Sequence, residues 1–183
     1  TAPPQGASCL LQAYPKQLCS FEANQLKWCA GQFTVYDDGK TKTHQEQLSS
    51  PDLQDQMATP YPLGAITPPN IDQEPGRIRY EPLFKQMYGK SRSEVRKNIT
   101  SIVWAPTGAR IKVTRINNVH DKLNAVGKEL AALPKKFKRF LKSKPQTFVW
   151  RKIAGTNRLS AHSFGIAVDI AIKHSHYWRW TRT

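Results

Sequence analysis

The residue types best suited to chemistry fall in one stretch near the end of the chain, Ser160-Ala161-His162-Ser163-Phe164-Gly165-Ile166-Ala167-Val168-Asp169. Read as a strand, residues 165–172 place Ile166, Val168, Ile170 and Ile172 on one face and Gly165, Ala167, Asp169 and Ala171 on the other. The branched face is suited to packing on a helix. The opposite face has small residues around a single carboxylate, and a packed face would carry bulk there, so the pattern leaves room for a ligand. His162 precedes this strand and can bend back over the small-residue face. An imidazole nitrogen and a carboxylate oxygen are both zinc ligands. On spacing alone, a structural acid and a loop histidine remain the alternative.

The elements that would position these residues follow from periodicity. Glu81–Tyr88 and Ser91–Thr100 read as two short helices flanking Gly89. Ser101-Ile102-Val103-Trp104 and the alternating Arg110-Ile111-Lys112-Val113-Thr114 read as strands. Asn118 is an N-cap candidate three residues before Asp121, and Leu123, Val126, Leu130 and Leu133 then mark one face of a helix. Thr147-Phe148-Val149-Trp150 reads as a strand and Gly155–Ser160 as a loop. The fold class is α+β, a small antiparallel sheet packed on one main helix. Residues 1–75 read as an irregular extension wrapping a domain over 76–183. Within that extension, Phe33–Tyr36 and Thr41–Thr43 around Asp37-Asp38-Gly39 predict a hairpin. Pro60, Pro62, Pro68, Pro69 and Pro75 exclude a long helix after Ser50.

The formal charge is +15, which favours a polyanionic partner. An anionic cell wall, a membrane surface and nucleic acid all qualify. The basic residues are spread along the chain without a nucleic-acid motif, which argues against the last. The run Lys135-Lys136-Phe137-Lys138-Arg139-Phe140-Leu141-Lys142 is suited to an anionic wall polymer or lipid, or is a solvated helix face. Cys9, Cys19 and Cys29 are an odd set. One disulfide in an oxidising compartment, free thiols and a zinc knuckle are all open readings. The chain opens on Thr1, which fits a mature exported protein and equally a trimmed chain.

The pattern Ser160-x-His162-x-x-Gly165-x-Ala167-x-Asp169 is similar to the signature of the zinc peptidases that include D-alanyl-D-alanine carboxypeptidases, D,D-dipeptidases and L-alanyl-D-glutamate endopeptidases. The wider stretch Ile153–Gly165 resembles an exported bacterial branch of that family. So do Pro75–Arg79, Phe84–Gly89 and Tyr177-Trp178-Arg179-Trp180. The resemblance implies a D,D-peptidase/Hedgehog-like fold, a Zn²⁺ cofactor held by His162 and Asp169, a peptidoglycan stem peptide as substrate and a periplasmic or extracellular location. It also implies an Asp or Glu three residues before a third ligand histidine, as base and final ligand. The residues three before His44, His120, His162, His174 and His176 are Thr41, Asn117, Leu159, Ala171 and Lys173, none of them acidic. No catalytic acid or base is therefore expected within the chain, and that motif is expected beyond residue 183. His174 and His176 are local candidates for a third ligand, with a surface role the alternative. Arg151 and Arg158 are candidates to hold the substrate, and Ser160 to hydrogen-bond near the metal. A non-catalytic wall-peptide-binding module of the same fold is the alternative function.

Overall fold

The computed structural model describes residues 2–59, 64 and 76–174. The five prolines between Pro60 and Pro75, together with His176 and Tyr177–Trp180, lie outside the described residues. The chain divides into two compact units, Thr1–Leu83 and Phe84–Thr183.

The first unit is a folded body with its own core, not the irregular extension expected over 1–75, and it runs on to Leu83. It begins with α1 (Gln5–Ala13) and an antiparallel sheet of β1 (Leu18–Glu22), β2 (Gln25–Trp28) and β3 (Phe33–Val35), in that order. The β1–β2 hairpin turns at Ala23 and Asn24, with φ of 48° and 60°. Two consecutive left-handed residues are what a tight two-residue hairpin requires. Ala7, Leu10, Leu18, Leu26, Trp28, Tyr36 and Leu53 are buried. The Trp28 indole donates to Thr34 Oγ1 at 2.9 Å, so its one polar atom is satisfied inside. Cys19 and Cys29 form a disulfide and Cys9 is free and exposed, which decides among the three readings that the cysteine count left open.

The hairpin expected around Asp37-Asp38-Gly39 does not form. Phe33–Val35 pairs backward with Gln25–Lys27 instead. The two aspartates make local turns, accepting from the Gly39 and Lys40 amides at 2.7 and 3.1 Å. Such side-chain turns compete with a strand ladder for the same backbone donors. The chain then enters α2 (His44–Ser49) and α3 (Leu53–Ala58), each opened by a capping box, Thr43 with Glu46 and Asp52 with Asp55.

The division between the units falls inside α4 (Glu81–Tyr88), whose bounds are as the sequence predicts. In the second unit, α5 (Arg92–Lys97) is shorter than expected. Ser91 caps it, and Ile99 and Thr100 already belong to β4 (Ile99–Trp104). β4 and β5 (Ala109–Thr114) form an antiparallel pair in register from Ile99↔Thr114 to Trp104↔Ala109. α6 (Val119–Ala131) packs against both strands, so the fold is α+β with the main helix on a small sheet. The contact is close because of Gly127, where an added Cβ would sit 3.2 Å from the Trp104 ring. On α6 only Gly127 is buried, flanked by the half-buried Leu123 and Leu130. Val126, expected on the apolar stripe, is 44% exposed. Asn118 stands at the N-cap position but is left-handed, and its side chain makes no capping bond. α7 (Lys135–Lys138) and a short 3₁₀ turn, Arg139–Leu141, complete the helices before the site.

Candidate metal centre

The site is built outward from β5. Lys112 on that strand accepts from the Phe148 amide at 3.3 Å and donates its own amide to Thr147 Oγ1 at 3.3 Å. This fixes the segment Gln146–Val149 beside the sheet. Thr147–Trp150, expected as a strand, forms none and is tied by such single bonds instead of a ladder. The same segment then holds both candidate ligands. Gln146 exchanges two backbone bonds with Asp169, at 2.9 and 3.1 Å. Thr147 offers its carbonyl to Nδ1 of His162 at 2.7 Å.

Gly165–Ile172, expected as the last strand, is bridged only at Asp169. The expected division into a packed branched face and an open small face is absent. Ile166, Ala167, Val168, Asp169 and Ile170 are all half-buried, and Ile172 is 49% exposed. A stretch with partners on one side at a single residue cannot sort its side chains into two faces.

His162 is carried by a 3₁₀ turn, Ala161–Phe164. Ser160 opens this turn, accepting from the His162 amide at 3.4 Å, and Gly165 closes it in the left-handed region with φ 69°. Ser160 and Gly165, two of the motif's fixed residues, thus shape the turn. Phe164 anchors it from beneath, 2% exposed and ringed by Phe84 and Tyr88. Ser163 locks it from the side. Its hydroxyl, fully buried, donates to the Arg151 carbonyl at 2.8 Å and accepts from the Arg151 amide at 2.9 Å.

The result is that Nε2 of His162 lies 3.1 Å from Oδ2 of Asp169. A carbonyl only accepts, so the 2.7 Å bond to Thr147 places a proton on Nδ1. In the neutral ring, Nε2 then turns its lone pair toward a carboxylate oxygen. Two acceptors this close need a cation between them, either a proton or a metal ion. Ligand atoms around a tetrahedral zinc lie roughly 3.3 Å apart, given bonds of about 2.0–2.1 Å. The pair therefore fits a zinc ion in donor type and in spacing. A second ring nitrogen held by a backbone carbonyl is also the usual support for a ligand histidine. The His162 side chain is 8% exposed and that of Asp169 39%, so the pair opens to solvent on the carboxylate side.

The other sequence candidates stand differently. Ser160 is buried and acts as the cap of the histidine turn. Arg151 is exposed and joins the site through its backbone, and Arg158 is half-buried in the preceding loop. His174 is exposed with its ring edge-on to Phe140 at 5.1 Å. Sequence reasoning missed Gln146, Thr147 and Ser163. Gln146 acts on Asp169, and Thr147 on His162, through backbone groups that any residue possesses, so no residue type signals those two contacts.

A group of three acids also exists among the described residues, Asp37, Asp38 and Asp52. Lys42 already supplies its cation, with Nζ 3.0 Å from Asp38 and 2.9 Å from Asp52. No helix among the described residues is long and apolar enough to cross a membrane.

Residues 154–183 match the family model described as D-alanyl-D-alanine carboxypeptidase, a span that contains both His162 and Asp169. No curated protein and no solved structure matches the chain.

Proposed function

We propose, from the premise that the C-terminal segment of this chain belongs to the D-alanyl-D-alanine carboxypeptidase family, that it carries the metal half-site of a zinc peptidase acting on an amide bond in peptidoglycan stem peptides. The observation that carries the reading is the 3.1 Å approach of His162 Nε2 to Asp169 Oδ2, with Nδ1 tied back to Thr147. His162 and Asp169 would hold the ion. When bound, zinc supplies a Lewis acid that polarises a carbonyl and lowers the pKa of water. The chain's own part is positional. Thr147 fixes the tautomer and ring plane of His162, Gln146 fixes the backbone of Asp169, and Ser163 holds the two supporting segments together.

Two donors make a weak site. No histidine among the 183 residues follows an Asp or Glu by three positions, so the third ligand and the base are assigned to a further Asp/Glu-x-x-His pair. The 183 residues alone should then bind zinc weakly and hydrolyse little. The Cys19–Cys29 disulfide supports a periplasmic or extracellular setting, where such bonds persist.

The test uses the full gene product on purified peptidoglycan, with release of new amino groups as the readout. Release should stop with a chelator and return with zinc. His162→Ala and Asp169→Ala should release nothing while keeping the wild-type circular dichroism spectrum and a cooperative melt, lowered for His162→Ala by the loss of its buried bond to Thr147. Chelator-insensitive release that survives His162→Ala would overturn the reading. Tight binding to peptidoglycan with no release would favour a non-catalytic wall-binding module instead.

A further inference from the structure

Between Glu129 and Asp169 the sequence contains no acidic residue, while Lys135, Lys136, Lys138, Arg139, Lys142 and Lys144 crowd into ten positions. The structure gathers this charge around aromatic rings. Phe137, on α7, is 41% exposed. The Lys136 ammonium lies 5.0 Å from the Phe137 ring centre, and the Arg139 guanidinium 4.6 Å from that of Phe140. Phe140 in turn meets the ring of His174, beside the exposed Lys173. Lys135, Lys136, Phe137, Arg139 and Phe140 together line a shallow, open depression. The segment continues into Leu141, which is buried and roots it in the second unit.

We propose that this basic–aromatic knob docks on an anionic lipid surface, with Phe137 entering the headgroup layer and the surrounding cations pairing with lipid phosphates. Charge complementarity points to an anionic partner. The exposed Phe137 ring selects a bilayer among anionic partners, because only a bilayer offers a phosphate plane with an apolar layer directly beneath it. A cation stacked on a ring keeps its outer face free for a phosphate, and Lys and Arg near an anionic leaflet each add to the attraction. The peptidase reading is not needed for this binding, and the test does not read peptide hydrolysis.

The measurement is co-sedimentation with vesicles of phosphatidylcholine containing 30% phosphatidylglycerol, against pure phosphatidylcholine, in about 0.1 M salt. The protein should partition onto the anionic vesicles and not the neutral ones. Lys136→Glu/Lys138→Glu should weaken partitioning at least about tenfold. Lys122→Glu/Lys128→Glu, with the same change of net charge on α6, should change it less than about twofold. Phe137→Ser should weaken it about tenfold and remove the part of binding that survives about 0.5 M salt. All variants carry exposed changes, and wild-type melting curves certify their folds. Equal loss in the two charge-reversed variants would overturn the proposal, as would binding indifferent to Phe137→Ser. Tighter, Phe137-dependent capture by random duplex DNA or by polyphosphate would also overturn it, and would assign the knob to a soluble polyanion.

Discussion

Lys42→Met should destabilise the first unit by about 3–5 kcal/mol, the usual consequence of removing one partner from a buried ionic cluster. The Lys42 ammonium touches Asp38, Asp52 and Asp55 at 3.0, 2.9 and 2.7 Å, and its side chain is 6% exposed. Burial alone would push this lysine down. The hydrogen bonds to Asp55, Asp52 and Asp38 outweigh burial and hold it well above the ordinary lysine value. Burial likewise pushes the Asp52 carboxyl up, but the Asp38 and Asp55 amides and Lys42 bring it down to about 2. The signs follow from linkage. A depressed carboxyl stabilises fully above its unfolded value, near 3.9, and loses that contribution as pH falls through about 2. A raised lysine stabilises fully below about 10.4 and loses that contribution as pH rises through its folded value. The wild-type unit should therefore hold a stability plateau between those limits. In Lys42→Met the three carboxylates face one another without a cation, so acid should relieve it. Urea melts at pH 7 and pH 4.5 should show the deficit shrinking on acidification. A deficit that is constant or grows toward pH 4.5 would contradict this account of the cluster.

Gly165→Ala should cost the second unit about 3 kcal/mol and open the gap between His162 and Asp169. The left-handed conformation costs a residue with a Cβ about 1–2 kcal/mol. A second cost, about 1–3 kcal/mol, comes from overpacking. The added Cβ would sit 2.6 Å from Ile99 Cδ1 and 3.0 Å from the Thr114 amide nitrogen. Ile99 Cδ1 is the end of a side chain and can rotate away. The Thr114 amide cannot, because it donates to the Gly165 carbonyl at 3.0 Å and belongs to β5. Gly165→Asn, which tolerates the left-handed region but brings the same Cβ, separates the two costs. It should recover only the conformational part. Full recovery by asparagine would show that the close approach to β5 carries no weight.

These two positions also mark what the sequence disclosed and what it hid. The motif around His162 was legible through its resemblance to the zinc-peptidase signature, since on spacing alone a structural acid and a loop histidine stood beside it. The capping serine, the left-handed glycine and the approach of acid to histidine emerge only in the fold. The helix α4 and the strands β4 and β5 were legible from apolar spacing. The hidden parts share a cause. The support for the site is backbone chemistry at Gln146 and Thr147, and backbone groups leave no mark on residue type. The stretch after Gly165 alternates like a strand, yet only Asp169 finds a bridging partner. Alternation reports a capacity for pairing, and the pairing itself depends on distant chain. Val126 fits a helical stripe by spacing, but a stripe drawn by apolar residues alone passes over Gly127. An added Cβ at that glycine would sit 3.2 Å from the Trp104 ring, so it contributes by having no side chain. Lys42 was invisible among twenty-eight basic residues, since only three-dimensional proximity distinguishes it from a surface lysine.

The central claim is that His162 and Asp169 share a metal ion and are not merely an ion pair. The most direct measurement is a long-range nitrogen–proton correlation spectrum of the histidine rings during a zinc titration. Before zinc, His162 should show its Nδ1 protonated, as the 2.7 Å bond to Thr147 requires. On adding zinc, its Nε2 resonance should move first and furthest, while Nδ1 stays protonated, and Asp169→Ala should suppress the movement. Zinc that shifts the rings of His44, His120, His174 or His176 while leaving His162 Nε2 in place would contradict the account.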